Sequence, residues 1–98
     1  MDNLIKEVLK FRDERGWKHY HKEKDLAISI VLEASELLEN FQWKTSEEAA
    51  ADTRQNIKEE MADVLIYLVQ LADRMDVDLE EEVYKKLEKN GVKYPVKR

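Results

Sequence analysis

The stretch DLAISIVLEASELLEN, residues 25–40, decides the fold of this chain. Taking about 100° per residue with Glu33 at zero, Leu26, Leu37, Ile30, Phe41, Ala34, Ala27, Leu38 and Val31 fill an arc from roughly 20° to 160°. Ile28 and Leu32 fall on nearly the opposite side, and Ser29, Glu33, Glu36 and Asn40 occupy the polar wedge. This is a helix with a broad apolar stripe and an acidic edge. The segment TRQNIKEEMADVLIYLVQLADRM, residues 53–75, repeats the pattern. From Glu60, the residues Leu71, Val64, Ile57, Met75, Leu68, Met61, Ala72 and Leu65 span roughly 20° to 140°. Ile66 lies on the far side, and Asp63 stands where Glu36 stood. Two long helices therefore carry an acid pair at the same edge of an apolar stripe.

The remaining segments fit around this pair. Asp2 or Asn3 caps a first helix running to about Arg15, with Leu4, Ile5, Val8, Leu9 and Phe11 as its apolar face, and Gly16 ends it. WKHYHKEK, residues 17–24, lacks helical periodicity and reads as a loop. Phe41 to Thr45 breaks the second helix, and Ser46 with Glu48 and a run of alanines gives a short capped turn. Asp78-Leu79-Glu80-Glu81 has a capping-box-like spacing and opens a fourth helix that Gly91 closes. Pro95 forbids continuation. The expectation is one all-α domain over residues 1–98, a four-helix bundle.

Composition agrees. Charged residues make up 40% of the chain and hydrophobic ones 43%, with only two glycines and one proline to interrupt long helices. Without cysteine, disulfides and thiolate metal sites are excluded. A net charge of −5 argues against binding nucleic acid through a basic face. The start MDNLIKEV has no basic region followed by an apolar core, and no run reaches the roughly 20 apolar residues of a membrane span. A cytoplasmic protein is expected, with neither membrane nor nucleic acid as a partner. Helices apolar on two sides also exceed what 98 residues can bury alone, which points to a homodimer or a dimer of dimers.

The acids carry the chemistry. Glu33 and Glu36, and Glu60 and Asp63, are spaced i,i+3, so each pair lies roughly 5–6 Å apart on its helix. Carboxylates at a core margin must be partnered or take up a proton, and four together repel unless a cation sits among them. An oxygen-only ligand set suits Mg²⁺ or Mn²⁺. Di-iron bundles use Glu-x-x-His on two helices, and His19 and His21 both lie outside these motifs. The plainer alternative is that both pairs face solvent.

ExxE followed by ExxD on two helices resembles the signature of the MazG-like, all-α NTP pyrophosphatase superfamily. RGWKHYH, LEASELLENFQWK, EEMADVLIYLVQLA and KLEKNGVKYP are similar to its dCTP pyrophosphatase branch, over about Gly16 to Pro95. The resemblance implies Mg²⁺-dependent hydrolysis of a nucleoside triphosphate between the α and β phosphates, giving the monophosphate and pyrophosphate. It implies that Glu33, Glu36, Glu60 and Asp63 bind metal, one of them activating water. It implies that Trp17 and Trp43 line a base pocket. Lys86, Asn90 and Tyr94 would reach the triphosphate or sugar from a neighbouring subunit, with His21 and Lys24 on the phosphate side. A homotetramer completes the bundle in this reading, and dCTP or a modified deoxycytidine triphosphate is the expected substrate of a house-cleaning enzyme. Asp25, where related chains would have Asn, and the short Thr45–Asp52 connection depart from the pattern.

Each of these residues has a plainer reading. The tryptophans would be core, Lys86 a solvated charge, Asn90 an ordinary helix end, and Tyr94 a tail-packing residue. Glu80-Glu81-Glu82 complements a helix dipole and is set aside as a metal site. Two rival functions remain: hydrolysis of another phosphate ester, and a non-catalytic helical adaptor.

Overall fold

A computed structural model describes residues 1–97. Among these residues five α-helices follow in order: α1 (Asp2–Glu14), α2 (Glu23–Glu39), α3 (Ser46–Asp52), α4 (Arg54–Arg74) and α5 (Leu79–Lys93), with a 3₁₀ turn at Trp17–His19 between α1 and α2. No strand occurs among the described residues. The helix count is thus five rather than four, because the capped turn after residue 45 propagates into α3. Its cap is Thr45, not Ser46. The Glu48 N–H donates to Thr45 Oγ1 (3.1 Å) and the Thr45 N–H to Glu48 Oε1 (3.0 Å), a complete capping box.

Other boundaries shift for equally local reasons. The expected loop over residues 17–24 is shorter, since Trp17 to His19 form a 3₁₀ turn and α2 already begins at Glu23. Asp25 serves that start, accepting the Lys22 N–H at 3.4 Å. Neither Asp2 nor Asn3 caps α1. Its N-cap is Met1, without a side-chain bond, and Asp2 lies inside the first turn where its charge suits the dipole. Gly91 does not end α5. Its backbone is not left-handed, unlike Gly16 at φ +67°, so the helix runs on to Lys93. Pro95 supplies the stop, because a residue before proline is pushed out of the helical region. Tyr94 accordingly sits at φ −124°, ψ 73°. Asp78 caps α5 as expected, accepting the Glu81 N–H at 3.0 Å.

α2 and α4 are the central packed pair, and α1 and α3 rest on α4. The pair is antiparallel: Glu23 at the start of α2 bonds Arg74 at the end of α4, while Glu33 further along meets Glu60. Arg74 Nη1 also donates to the Lys18 carbonyl at 2.6 Å, tying the 3₁₀ turn to α4. Arg12 is 3% exposed and fixes α1 to α4 through Asp73 at 2.7 Å, with Asp13 beside it. Removing Asp73 leaves that guanidinium short of a partner. Asp73→Ala is expected to cost about 2 kcal/mol, read as a fall in thermal midpoint, whereas breaking an exposed pair such as Lys85–Glu81 should leave the midpoint almost unchanged.

Much of the apolar stripe stays uncovered within one chain. Leu26, Ala49 and Val69 are buried, and Ile30, Leu37, Val64, Leu65 and Leu68 are half-buried. Val31 and Leu38 on the same face of α2 remain 64% and 69% exposed. α5 packs extensively against no other helix, and its Val83, Tyr84 and Leu87 are exposed. The radius of gyration is 16.3 Å, against about 13 Å for a compact chain of this length. The accessible surface is 8071 Å², against an expectation of about 5,900 Å² for a monomer of this size. The excess has the scale of a large subunit interface.

Candidate metal centre

Glu33 and Glu36 stand one turn apart on α2, and the antiparallel register brings Glu60 of α4 opposite them. One carboxylate oxygen from each lies within 4.8 Å of the others. Asp63, a turn further along α4 and half-buried, stands outside this close group, yet its charge acts on both Glu33 and Glu60. Glu33 Oε2 and Glu60 Oε2 are buried without a hydrogen-bond partner. Two ionised carboxylates have no proton to share, so the contact needs either a proton or a cation.

The titration of the acids follows from this. Burial is the main cause pushing Glu33 up to about 7, followed by the hydrogen-bonding contacts with Glu60 and Glu36 and the charges of Glu36 and Asp63. For Glu60 the contact with Glu33 pulls downward, but burial, Glu36 and Asp63 outweigh it and the net direction is upward. Both carboxyls are therefore harder to ionise than ordinary glutamates. Tyr67 is raised as well, first by burial and then by the charges of Glu33, Asp63 and Glu36.

These residues fit a hard divalent cation. The donor set is oxygen only, two oxygens are buried and unpartnered, and their mutual repulsion is what a cation would remove. Glu33, Glu36 and Glu60 would hold it, with Asp63 adjacent.

The other expected site residues are dispersed. Trp17 stacks on His21 with ring centroids 5.5 Å apart, and meets the edge of Phe11 at 5.7 Å. Trp43 is 94% exposed in the turn after α2, at φ +63°. A left-handed backbone costs a residue with a Cβ about 1–2 kcal/mol, a cost that tends to collect at functional sites. Lys24 is exposed at the start of α2. Lys86 and Asn90 lie on α5, which the single chain leaves unpacked, and Tyr94 just past its end, so they are not gathered at the acids.

Sequence reasoning passed over Tyr67, Lys44 and Asn56, and placed Asn40 in the polar wedge beside Glu33 and Glu36 without giving it a role. Tyr67 follows Asp63 by four residues and Glu60 by seven, helical spacings that put it on the acid face. Asn40, Lys44 and Asn56 line a cavity of about 460 Å³ together with Glu36 and Glu60. Asn40 follows Glu36 by four residues and Asn56 precedes Glu60 by four, so helical spacing marks both, whereas Lys44 is brought there by the turn after α2. A second cavity, about 320 Å³, lies between the start of α1, the end of α4 and the start of α5. Its acids Asp2, Asp73, Asp76, Asp78 and Glu80 are all exposed, and none holds a buried unpartnered oxygen.

An all-helical chain with a carboxylate cluster across its two central helices defines the class, and the family model described as MazG-like matches residues 28–98. The chain belongs to the MazG-like family. It is 42% identical to dCTP pyrophosphatase 1 of Mus musculus over 91 residues, covering 88% of this chain and 54% of that protein. It is also 42% identical to dCTP pyrophosphatase 1 of Homo sapiens over 90 residues, covering 87% and 53%. The chain thus spans about half the length of these curated relatives. A crystal structure of a pyrophosphatase from Archaeoglobus fulgidus superposes with a TM-score of 0.90 at 45% identity, covering 98% of this chain and 93% of that one.

Proposed function

We propose that this protein is a Mg²⁺-dependent nucleoside triphosphate pyrophosphohydrolase that prefers dCTP or a modified deoxycytidine triphosphate. The observation that carries the reading is the pair of buried, unpartnered oxygens of Glu33 and Glu60 converging with Glu36 across α2 and α4. The family and the relatives' names support the reaction class. A bound Mg²⁺ supplies charge neutralisation of the phosphates and a more acidic attacking water.

In this reading the acid cluster binds the cation, and one of Glu33, Glu36, Glu60 and Asp63 accepts the proton of the attacking water. The new bond joins the water oxygen to the α-phosphorus. The bond from that phosphorus to the bridging oxygen breaks, and pyrophosphate leaves with its electron pair. Trp17 and Trp43 offer aromatic faces to the base, and the exposure and backbone cost of Trp43 support that role. His21, stacked on Trp17, stands on the phosphate side with Lys24.

Lys86, Asn90 and Tyr94 reach the site from a second copy of the chain, and the excess surface with the uncovered faces of α2 and α5 supports such an assembly. A homotetramer, built as a dimer of dimers, is the expected state, and sedimentation equilibrium checks it. A monomer at micromolar concentration would contradict this part. A house-cleaning role on free nucleotides places the enzyme in the cytoplasm. No helix among the described residues is long and apolar enough to cross a membrane.

The test is turnover with Mg²⁺ on the standard dNTPs and NTPs plus 5-methyl-dCTP, products resolved by anion exchange. Monophosphate and pyrophosphate in equal amounts, with cytosine nucleotides fastest, is the expected result. A different fastest base would overturn the preference alone.

A further inference from the structure

The cavity beside the acid cluster contains features that the cation and water chemistry leave unused. Glu36 and Glu60 belong to its lining, and so do Lys44, Asn40, Thr53 and Asn56. Lys44 is the one cation among the described lining residues. It comes from the turn after α2 and meets Asp52, at the end of α3, at 3.7 Å with its side chain one-third exposed. An exposed pair of that length is worth little, so exchanging Asp52 for a stronger anion costs little. Asn40 is 8% exposed, and its amide nitrogen donates to the Glu36 and Leu37 carbonyls at 3.3 and 3.2 Å.

The charge balance indicates the occupant. Glu36, Glu39 and Glu60 in the lining repel an anion, and a nucleoside triphosphate carries more negative charge than one divalent cation neutralises. The phosphate lying away from the cation needs a positive partner near the acids. Thr53 and Asn56 add the beginning of α4, which has neither a side-chain cap nor an acid in its first turn, so its free N–H groups present no obstacle to an anion.

We propose that this cavity is the subsite for a substrate phosphate, with Lys44 as its cationic partner and Asp52 as the residue that positions Lys44. The assignment rests on the nucleotide reading above and adds, to Lys24 and Lys86, a cation of the same chain that lines the cavity beside the acids. Lys44 acts on binding more than on the chemical step, and its ammonium contributes a charge-assisted hydrogen bond.

The experiment is steady-state kinetics with Mg²⁺ on dCTP, or on the nucleotide the wild-type protein turns over fastest. The proteins compared are wild type, Lys44→Ala, Lys44→Arg and Asp52→Ala, each checked by thermal melting. Binding of Mn²⁺ alone is followed by electron paramagnetic resonance. Lys44→Ala should raise KM by about tenfold and lower kcat far less, with Lys44→Arg recovering most of the loss. Asp52→Ala should raise KM by a smaller factor, and Mn²⁺ affinity should stay unchanged. An active wild-type protein whose KM ignores Lys44→Ala overturns this assignment and leaves the nucleotide reading standing. So does a Lys44→Ala variant that loses kcat and Mn²⁺ affinity together, since Lys44 would then be shaping the acid cluster. No turnover by the wild-type protein overturns the nucleotide reading, and this assignment with it.

Discussion

Glu60→Gln is expected to lower turnover by on the order of a thousandfold or more while leaving the bundle folded. Glutamine keeps the volume of the side chain and removes the charge that faces Glu33 and Glu36 across the α2–α4 contact. Without metal, the wild-type cluster is a source of repulsion, so the variant should melt higher than wild type in chelator at pH 8. Adding Mg²⁺ should raise the melting temperature of wild type and leave the variant almost unmoved, because only a native state that binds the ion is stabilised by it. Rates and paired melts with and without Mg²⁺ check both halves. A variant that unfolds would show that Glu60 is a structural residue. A variant that turns over normally would show that the cluster is not the reacting centre.

Stability in chelator is expected to fall as pH rises from about 5 to about 8, and Mg²⁺ should restore it at the upper end. The sign follows from Glu33, whose carboxyl is pushed up to about 7, above the ordinary 4.5 of an unfolded glutamate. Between those values the folded chain holds a proton that the unfolded chain has released, so the native state binds more protons and stability declines with pH. The contribution is fully present below 4.5 and is lost through about 7. Glu60, shifted in the same direction, adds to it. Glu23 and Glu48 are lowered, Glu23 by its bond to Arg74 and Glu48 by the Thr45 backbone, and so act in the opposite sense at more acid pH. Thermal midpoints across this range for wild type and Glu33→Gln isolate the effect. The variant's profile should be flatter, and two parallel profiles would contradict the assignment.

The central helices were legible because their patterning is strong. Leu26, Ile30 and Leu37 on one helix, and Val64, Leu68 and Leu71 on the other, recur at helical spacing, and the acids sit at a constant angle to them. Local chemistry also marked the ends of α5, where Asp78 takes a free N–H and Pro95 blocks continuation. Gly91 misled because glycine ends a helix only where the backbone turns left-handed, and here it stays helical. The cap of α3 was misplaced by one residue because Ser46 and Thr45 are both capping types, and the N–H that is bonded decides between them.

The site was legible in its acids and less so in their surroundings. Helical spacing placed Glu33, Glu36 and Glu60 on facing edges, but it could not tell that Asp63 stands just outside the close group. Val69 is buried although it lies outside the stripe counted on α4, because α1 covers that side. Val31 and Leu38 were expected in the core and are exposed in the single chain, since a periodic pattern records that a face is apolar and not which surface covers it. The same gap leaves the placement of Lys86, Asn90 and Tyr94 open in the single chain, whose α5 packs extensively on no other helix. Lys44 was invisible because a turn, not a repeat, brings it beside the acids, whereas Asn56, four residues before Glu60 on α4, has helical spacing and was passed over.

Hydrolysis of dCTP by the wild-type protein with Mg²⁺ in isotopically labelled water tests the chemistry of this cluster most directly. The products should be dCMP and pyrophosphate in equal amounts, with the labelled oxygen in dCMP, because water attacks the α-phosphorus. Label in pyrophosphate, release of dCDP and orthophosphate, or no reaction at all would contradict it.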